Sequence, residues 1–123
     1  MTSGLSFSVD DGVLTISPSD GSDVWEGLPD GMPVHHLRAA PDGRSAFVLL
    51  DPPAGAGRVR NLVRITSAAE IVWRGELPET DPTDAFVSLA TDAEGAVLAS
   101  TWSGYRVRLD PDTGRLLCPV FTK

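Results

Sequence analysis

Residues 96–121 read AVLASTWSGYRVRLDPDTGRLLCPVF, a pattern of three strands joined by two tight turns. Residues 96–102 are uncharged and mostly apolar, which predicts a strand buried on both faces. Ser103 and Gly104 follow, and glycine tolerates the positive φ of a tight hairpin turn. Residues 105–109 then alternate. Side chains of a strand point to opposite faces at period two, so Tyr105, Val107 and Leu109 share one face and Arg106 and Arg108 the other. Residues 110–114, DPDTG, make a turn on chemical grounds. Pro111 presets φ, aspartate caps its own backbone, and Gly114 takes the left-handed position. Residues 115–121 return as the last strand. Pro119 within it predicts an edge, because proline cannot donate to a ladder.

The remainder of the chain follows the same plan more loosely. Residues 5–9 and 13–16 flank an Asp10-Asp11-Gly12 turn and predict a hairpin. A short strand at Val24 and Trp25, a loop over 28–33, and strands at 34–39 and 46–50 come next. Residues 51–57, DPPAGAG, with two Pro, two Gly and two Ala, are expected to form the most mobile loop. Strands follow at 61–65, 71–73 and 85–90, with a long acidic loop over 77–84. Residues 67–70 allow at most a single helical turn, too short to stand as a helix. The reading is therefore all-β.

An internal repeat organises these strands. Trp25-Glu-Gly-Leu-Pro29 corresponds to Trp73-Arg-Gly-Glu-Leu-Pro78, and each is followed by a loop with acidic residues, a strand, a glycine turn and a buried strand. Trp25 and Trp73, and likewise Phe47 and Val97, stand roughly 50 residues apart, the scale of a propeller blade. One copy covers about residues 13–60, a second 62–104, and a partial third 105–121. The unit resembles the blades of pyrroloquinoline-quinone enzymes and kelch-like repeats, although the kelch double glycine and the WD dipeptide are missing. The ending, WSGYRVRLDPDTGRLLCPVFTK, also resembles small stand-alone bacterial proteins with no settled activity. The resemblance implies an antiparallel meander of about two and a half propeller-blade-like units. That is too few to close a ring, and it leaves a compact sandwich or a half-open barrel. Trp25 and Trp73 are expected in the core.

Composition narrows the function. The 123 residues suit one domain, and 41% hydrophobic residues suit one core. The 12 Gly and 10 Pro are spread along the chain, as many short strands require. No apolar run reaches the ~20 residues of a membrane helix. The first residues lack the basic and apolar parts of a signal peptide, so the expected compartment is the cytoplasm. A net charge of -7, from 17 acidic and 10 basic side chains, disfavours nucleic acid, whose binding runs on clustered Lys and Arg. It favours encounter with a basic protein.

Candidate chemistry is sparse. Cys118 stands alone in an apolar stretch and reads as packing. His35 and His36 are adjacent in a strand, point to opposite faces, and cannot share a metal. Ser100 and Ser103 have no histidine near in the chain and no nucleophile elbow around them. Residues 54–57 lack the lysine of a phosphate loop. The expectation is therefore no catalysis, no cofactor and no metal. Glu79, Asp81 and Asp84 of the acidic loop, with Trp102 and Tyr105 flanking the hairpin turn, are the candidate partner-binding residues, since Trp and Tyr dominate interface hot spots. The function read from the sequence is a non-catalytic protein-binding module, in its sharpest form a bacterial immunity- or antitoxin-like protein that binds a basic partner. A homodimer is compatible with it. The alternatives are a self-assembling structural subunit, or a small ligand-binding protein or enzyme.

Overall fold

The computed structural model describes residues 5–18, 24–55, 57, 59–78, 84–93, 95–117 and 120–121. Their strands are β1 (Leu5–Asp10), β2 (Val13–Pro18), β3 (Trp25–Gly27), β4 (Val34–Ala39), β5 (Ser45–Leu50), β6 (Leu62–Thr66), β7 (Ile71–Arg74), β8 (Phe86–Thr91), β9 (Val97–Thr101), β10 (Tyr105–Leu109) and β11 (Val120–Phe121). A single 3-10 turn at Pro29–Gly31 is the one helical element among the described residues. The strands form three open antiparallel meanders, β1-β2-β3, β4-β5-β6-β7 and β8-β9-β10-β11, none closed into a barrel.

The middle meander is the centre of the stack. All six residues of β5, SAFVLL, are buried, because both faces of this strand are covered. Ala46, Val48 and Leu50 pack with Leu14 and Ile16 of the first meander, in a cluster joined by Val63 and Ile65. Phe47 and Leu49 point the other way and pack with Phe86, Val97, Val107 and Leu109 of the third. Each such side chain contributes about 1.5–3 kcal/mol by leaving water. Two hydrophobic cores thus hold three layers together.

The outer faces of the stack carry polar rows, with Ala90 and Leu98 as an apolar pair on the third meander. In the first meander the rows Ser6–Ser17 and Ser8–Thr15–Glu26 lie on the side away from Ile16. In the third, Ser88–Ser100–Arg106 and Ala90–Leu98–Arg108 lie on the side away from Val107. This corrects the expectation that residues 96–102 are buried on both faces. β9 alternates buried and half-buried residues, and Trp102 lies beyond its end, 72% exposed. No fourth layer of described residues covers that side.

Other elements also shift. Residues 67–70 form a reverse turn rather than a helical one. Ala69 has φ 63°, its N–H donates to Thr66 O at 3.0 Å, and Thr66 Oγ1 accepts from the Ala68 and Glu70 N–H groups. The closing strand is shorter than residues 115–121, with one bridge from Leu116 to Leu109 before β11. Cys118 and Pro119 lie outside the described residues. Trp73 is buried, and Trp25 packs half-buried against the first core. Both stand on the last strand of their meander, β7 and β3.

Two polar devices fasten the middle meander to the third. Asn61, 1% exposed, precedes β6. Its Nδ2 donates to Leu50 O at 2.7 Å and to Phe86 O at 2.9 Å, and its Oδ1 accepts from the Phe86 N–H at 2.7 Å. One side-chain amide so satisfies both backbone groups of Phe86, as a neighbouring strand would. The second device is the DPDTG turn, which sits over Trp73. Trp73 Nε1 donates to Pro111 O at 2.8 Å, and the ring lies 6.0 Å from Phe47. Gly114 adopts φ 74°, and a Cβ there would stand 2.4 Å from Trp73 Cε3. The Arg64 guanidinium stacks on Phe47 and reaches Pro111 O, Ser45 Oγ and Asp42.

Candidate functional site

A cleft of about 760 Å³ opens where the middle and third meanders meet. The buried Leu49, Leu50 and Phe86 line its base, with the Leu50 side chain turned to the first core. One wall is the loop that follows β5, with Asp51, Pro52, Pro53 and Ala54. This is the DPPAGAG stretch that the sequence marks as loop, and its prolines stiffen the backbone. The Asp51 N–H donates to Pro33 O at 2.8 Å. Farther on, the Val59 N–H donates to Asp84 O at 3.0 Å, and Val59 bridges to Ala85. The opposite rim carries Ala85, Val87 and Trp102. Val87 is 45% exposed, so two large apolar side chains meet water side by side at this opening.

The turn that carries Trp102 is tied down from beneath. Asp84 is fully buried. Its Oδ1 accepts from the Ala85 N–H and the Ser103 N–H, each at 3.0 Å, and its Oδ2 accepts from the Ser103 hydroxyl at 2.7 Å. Thr101 Oγ1 accepts from the Tyr105 N–H at 3.0 Å and pairs with Ser103 Oγ at 3.1 Å. The Trp102 N–H donates to Ala85 O at 2.9 Å, and Gly104, at φ 103°, closes the turn onto Thr101 O. The backbone around Trp102 is thereby fixed, while the indole itself stays in solvent.

The residues singled out in the sequence separate in space. Trp102 is the exposed one and lines the cleft. Tyr105 is half-buried against the core of the third meander. Asp84 has no surface to offer a partner: every one of its interactions above is internal, and its role is to hold the turn. Glu79 and Asp81 lie outside the described residues. His35 lines the cleft, whereas His36 pairs opposite Leu49 across a bulge. Sequence reasoning missed Asp51, Val87 and the proline wall. The signal available was the Pro-Pro pair directly after the most buried strand, which places a stiff loop at the mouth of the core.

The fold and site define an all-β, three-layer protein with an apolar cleft rimmed by a displayed tryptophan. The model of a family described as a domain of unknown function, DUF7957, matches residues 42–121, and the chain belongs to this family. The match covers β5 to β7 of the middle meander and all of the third. No curated protein matches the chain. Among solved structures, the chain is similar to a protein of unknown function from Bacteroides caccae, with 19% identity and a TM-score of 0.53. The likeness covers 98% of this chain and 43% of that one, so this chain spans less than half of that protein's length. At this identity the likeness concerns the fold.

Proposed function

We propose that the protein is a non-catalytic protein-binding module that takes a segment of a basic partner into the cleft beside Trp102. The observation that carries this reading is the Trp102 indole, 72% exposed on a turn whose backbone is bonded to a buried carboxylate. A large aromatic held ready in solvent supplies contact area without an ordering cost at binding. An apolar patch at a concave opening is the ordinary mark of an interaction site. The net charge of -7 supports a cationic partner. An immunity- or antitoxin-like role in the bacterial cytoplasm is the sharpest form of the proposal. No helix among the described residues is long and apolar enough to cross a membrane.

We take the three stacked meanders as propeller-blade-like units derived from an internal repeat. Trp25 and Trp73 at matching last-strand positions support this. Self-assembly through strand edges into a ring or scaffold is the alternative function.

The test is capture of partners from a cell extract on the immobilised protein, with the salt raised stepwise and with Trp102→Ala in parallel. The expected result is one cationic protein, released by salt and lost with the variant. Capture indifferent to both would sink the proposal.

A further inference from the structure

We infer that the cleft seats one long cationic side chain of the partner, arginine or lysine, with its aliphatic stem on the apolar walls and its head group against the Trp102 indole and the Asp51 carboxylate. This rests on the protein-binding reading above and names what that site recognises. Three observations converge on it. First, Val87, 45% exposed, and the exposed Pro53 and Ala54 give the cleft apolar walls that water reaches, on which a chain of methylene groups sheds water while its charged end stays at the rim. Second, the Trp102 indole offers an open face to solvent, and tryptophan is the strongest aromatic partner for guanidinium and ammonium groups. Third, Asp51 is an exposed carboxylate of the same cleft that forms no ion pair with any described residue. The other described carboxylates near the core are engaged, Asp84 by the turn and Asp42 by Arg64.

The charge pattern selects this occupant over others. The described lining holds one carboxylate, one histidine and no lysine or arginine, in a chain of net charge -7. This balance favours a cation over an anion. A purely apolar side chain would cover the walls and leave Asp51 unused. The cleft is larger than one side chain, and the backbone flanking the cation occupies the remainder.

The experiment is a two-dimensional NMR titration of the protein with three blocked tripeptides, glycine flanking arginine, lysine or norleucine. The expected result is a shift of the Trp102 indole and of the Asp51 and Val87 amides, with dissociation constants of about the millimolar range. The arginine and lysine peptides should bind about two- to fivefold more tightly than the norleucine peptide. Asp51→Asn should remove most of that preference, and Trp102→Ala should weaken all three peptides. Both side chains are exposed, and the spectra of the variants report directly whether the fold is kept. Equal binding of norleucine, a preference unchanged in Asp51→Asn, or no shift at all would overturn the inference. So would concentration-dependent shifts without peptide, which mark a second copy in the cleft. Any of these leaves the protein-binding reading to its own salt- and Trp102-dependent capture, so the two fail separately.

Discussion

Gly114→Ala is expected to destabilise the fold by more than its backbone conformation alone explains. At φ 74° an alanine pays the left-handed penalty of roughly 1–2 kcal/mol. The new Cβ would also stand 2.4 Å and 2.6 Å from Trp73 Cε3 and Cδ2, and 3.1 Å from Arg74 O. Trp73 cannot swing away freely, since its Nε1 is bonded to Pro111 O and its ring packs on Phe47. Relieving such an overlap in a packed core costs about 1–3 kcal/mol, so the total is about 2–5 kcal/mol. Gly43→Ala is the internal control. Gly43 has nearly the same φ, 70°, and nothing within 4 Å of its added Cβ, so only the roughly 1–2 kcal/mol conformational cost remains. Urea unfolding followed by fluorescence, compared at equal slope, measures both. The excess for Gly114→Ala should shrink in a Trp73→Leu background, because the two residues are in contact. Equal costs for the two glycine variants would refute the placement of the DPDTG turn over Trp73.

Further variants probe the other joints. Asn61→Leu strips three partners from the Leu50 and Phe86 backbone groups. It should cost at least about 3 kcal/mol in urea unfolding, at ~1–3 kcal/mol for each of the groups left unpaired. Asp84→Ala should cost about 2–4 kcal/mol by removing the acceptor of the Ala85 and Ser103 N–H groups and one partner of the Ser103 hydroxyl, and should lower the fluorescence anisotropy of Trp102 in a variant where it is the sole tryptophan. At Asp42, partial burial pushes the carboxyl up. The Arg44 N–H, the Ser45 hydroxyl and the Arg64 guanidinium outweigh that and hold it below the ordinary carboxylate range. Its contribution to stability is then full above a pH of about 3.9 and lost as pH falls through the lowered value. Asp42→Asn should flatten that acid limb of the stability profile, and a limb of unchanged slope would remove the Arg64 pairing from the account.

The parts of the fold that were legible in the sequence are those where burial is two-sided or cleanly one-sided. Residues 46–50 read as a buried strand because both of their faces meet hydrophobic neighbours. Residues 105–109 read correctly because arginines alternate with core residues. Residues 96–102 misled because an apolar run was taken to mean two covered faces, whereas only Val97 and Ala99 reach the core. The positive φ of Gly114 followed from its turn, but its contact with Trp73 joins elements far apart in the chain and has no local signature. The site was half legible. Trp102 stood out as an aromatic at a turn. Asp84 read as a solvated charge because its neighbours in sequence are polar, and the group that buries it, Ser103, lies 19 residues away.

Native-state hydrogen exchange at the Ser103 and Tyr105 amides, read beside acrylamide quenching of Trp102, reports on the displayed indole most directly. The account predicts amides that exchange orders of magnitude more slowly than an open loop beneath an indole that quenches as freely as one in solution. Amides that exchange like an unstructured loop, or an indole shielded from the quencher, would contradict it.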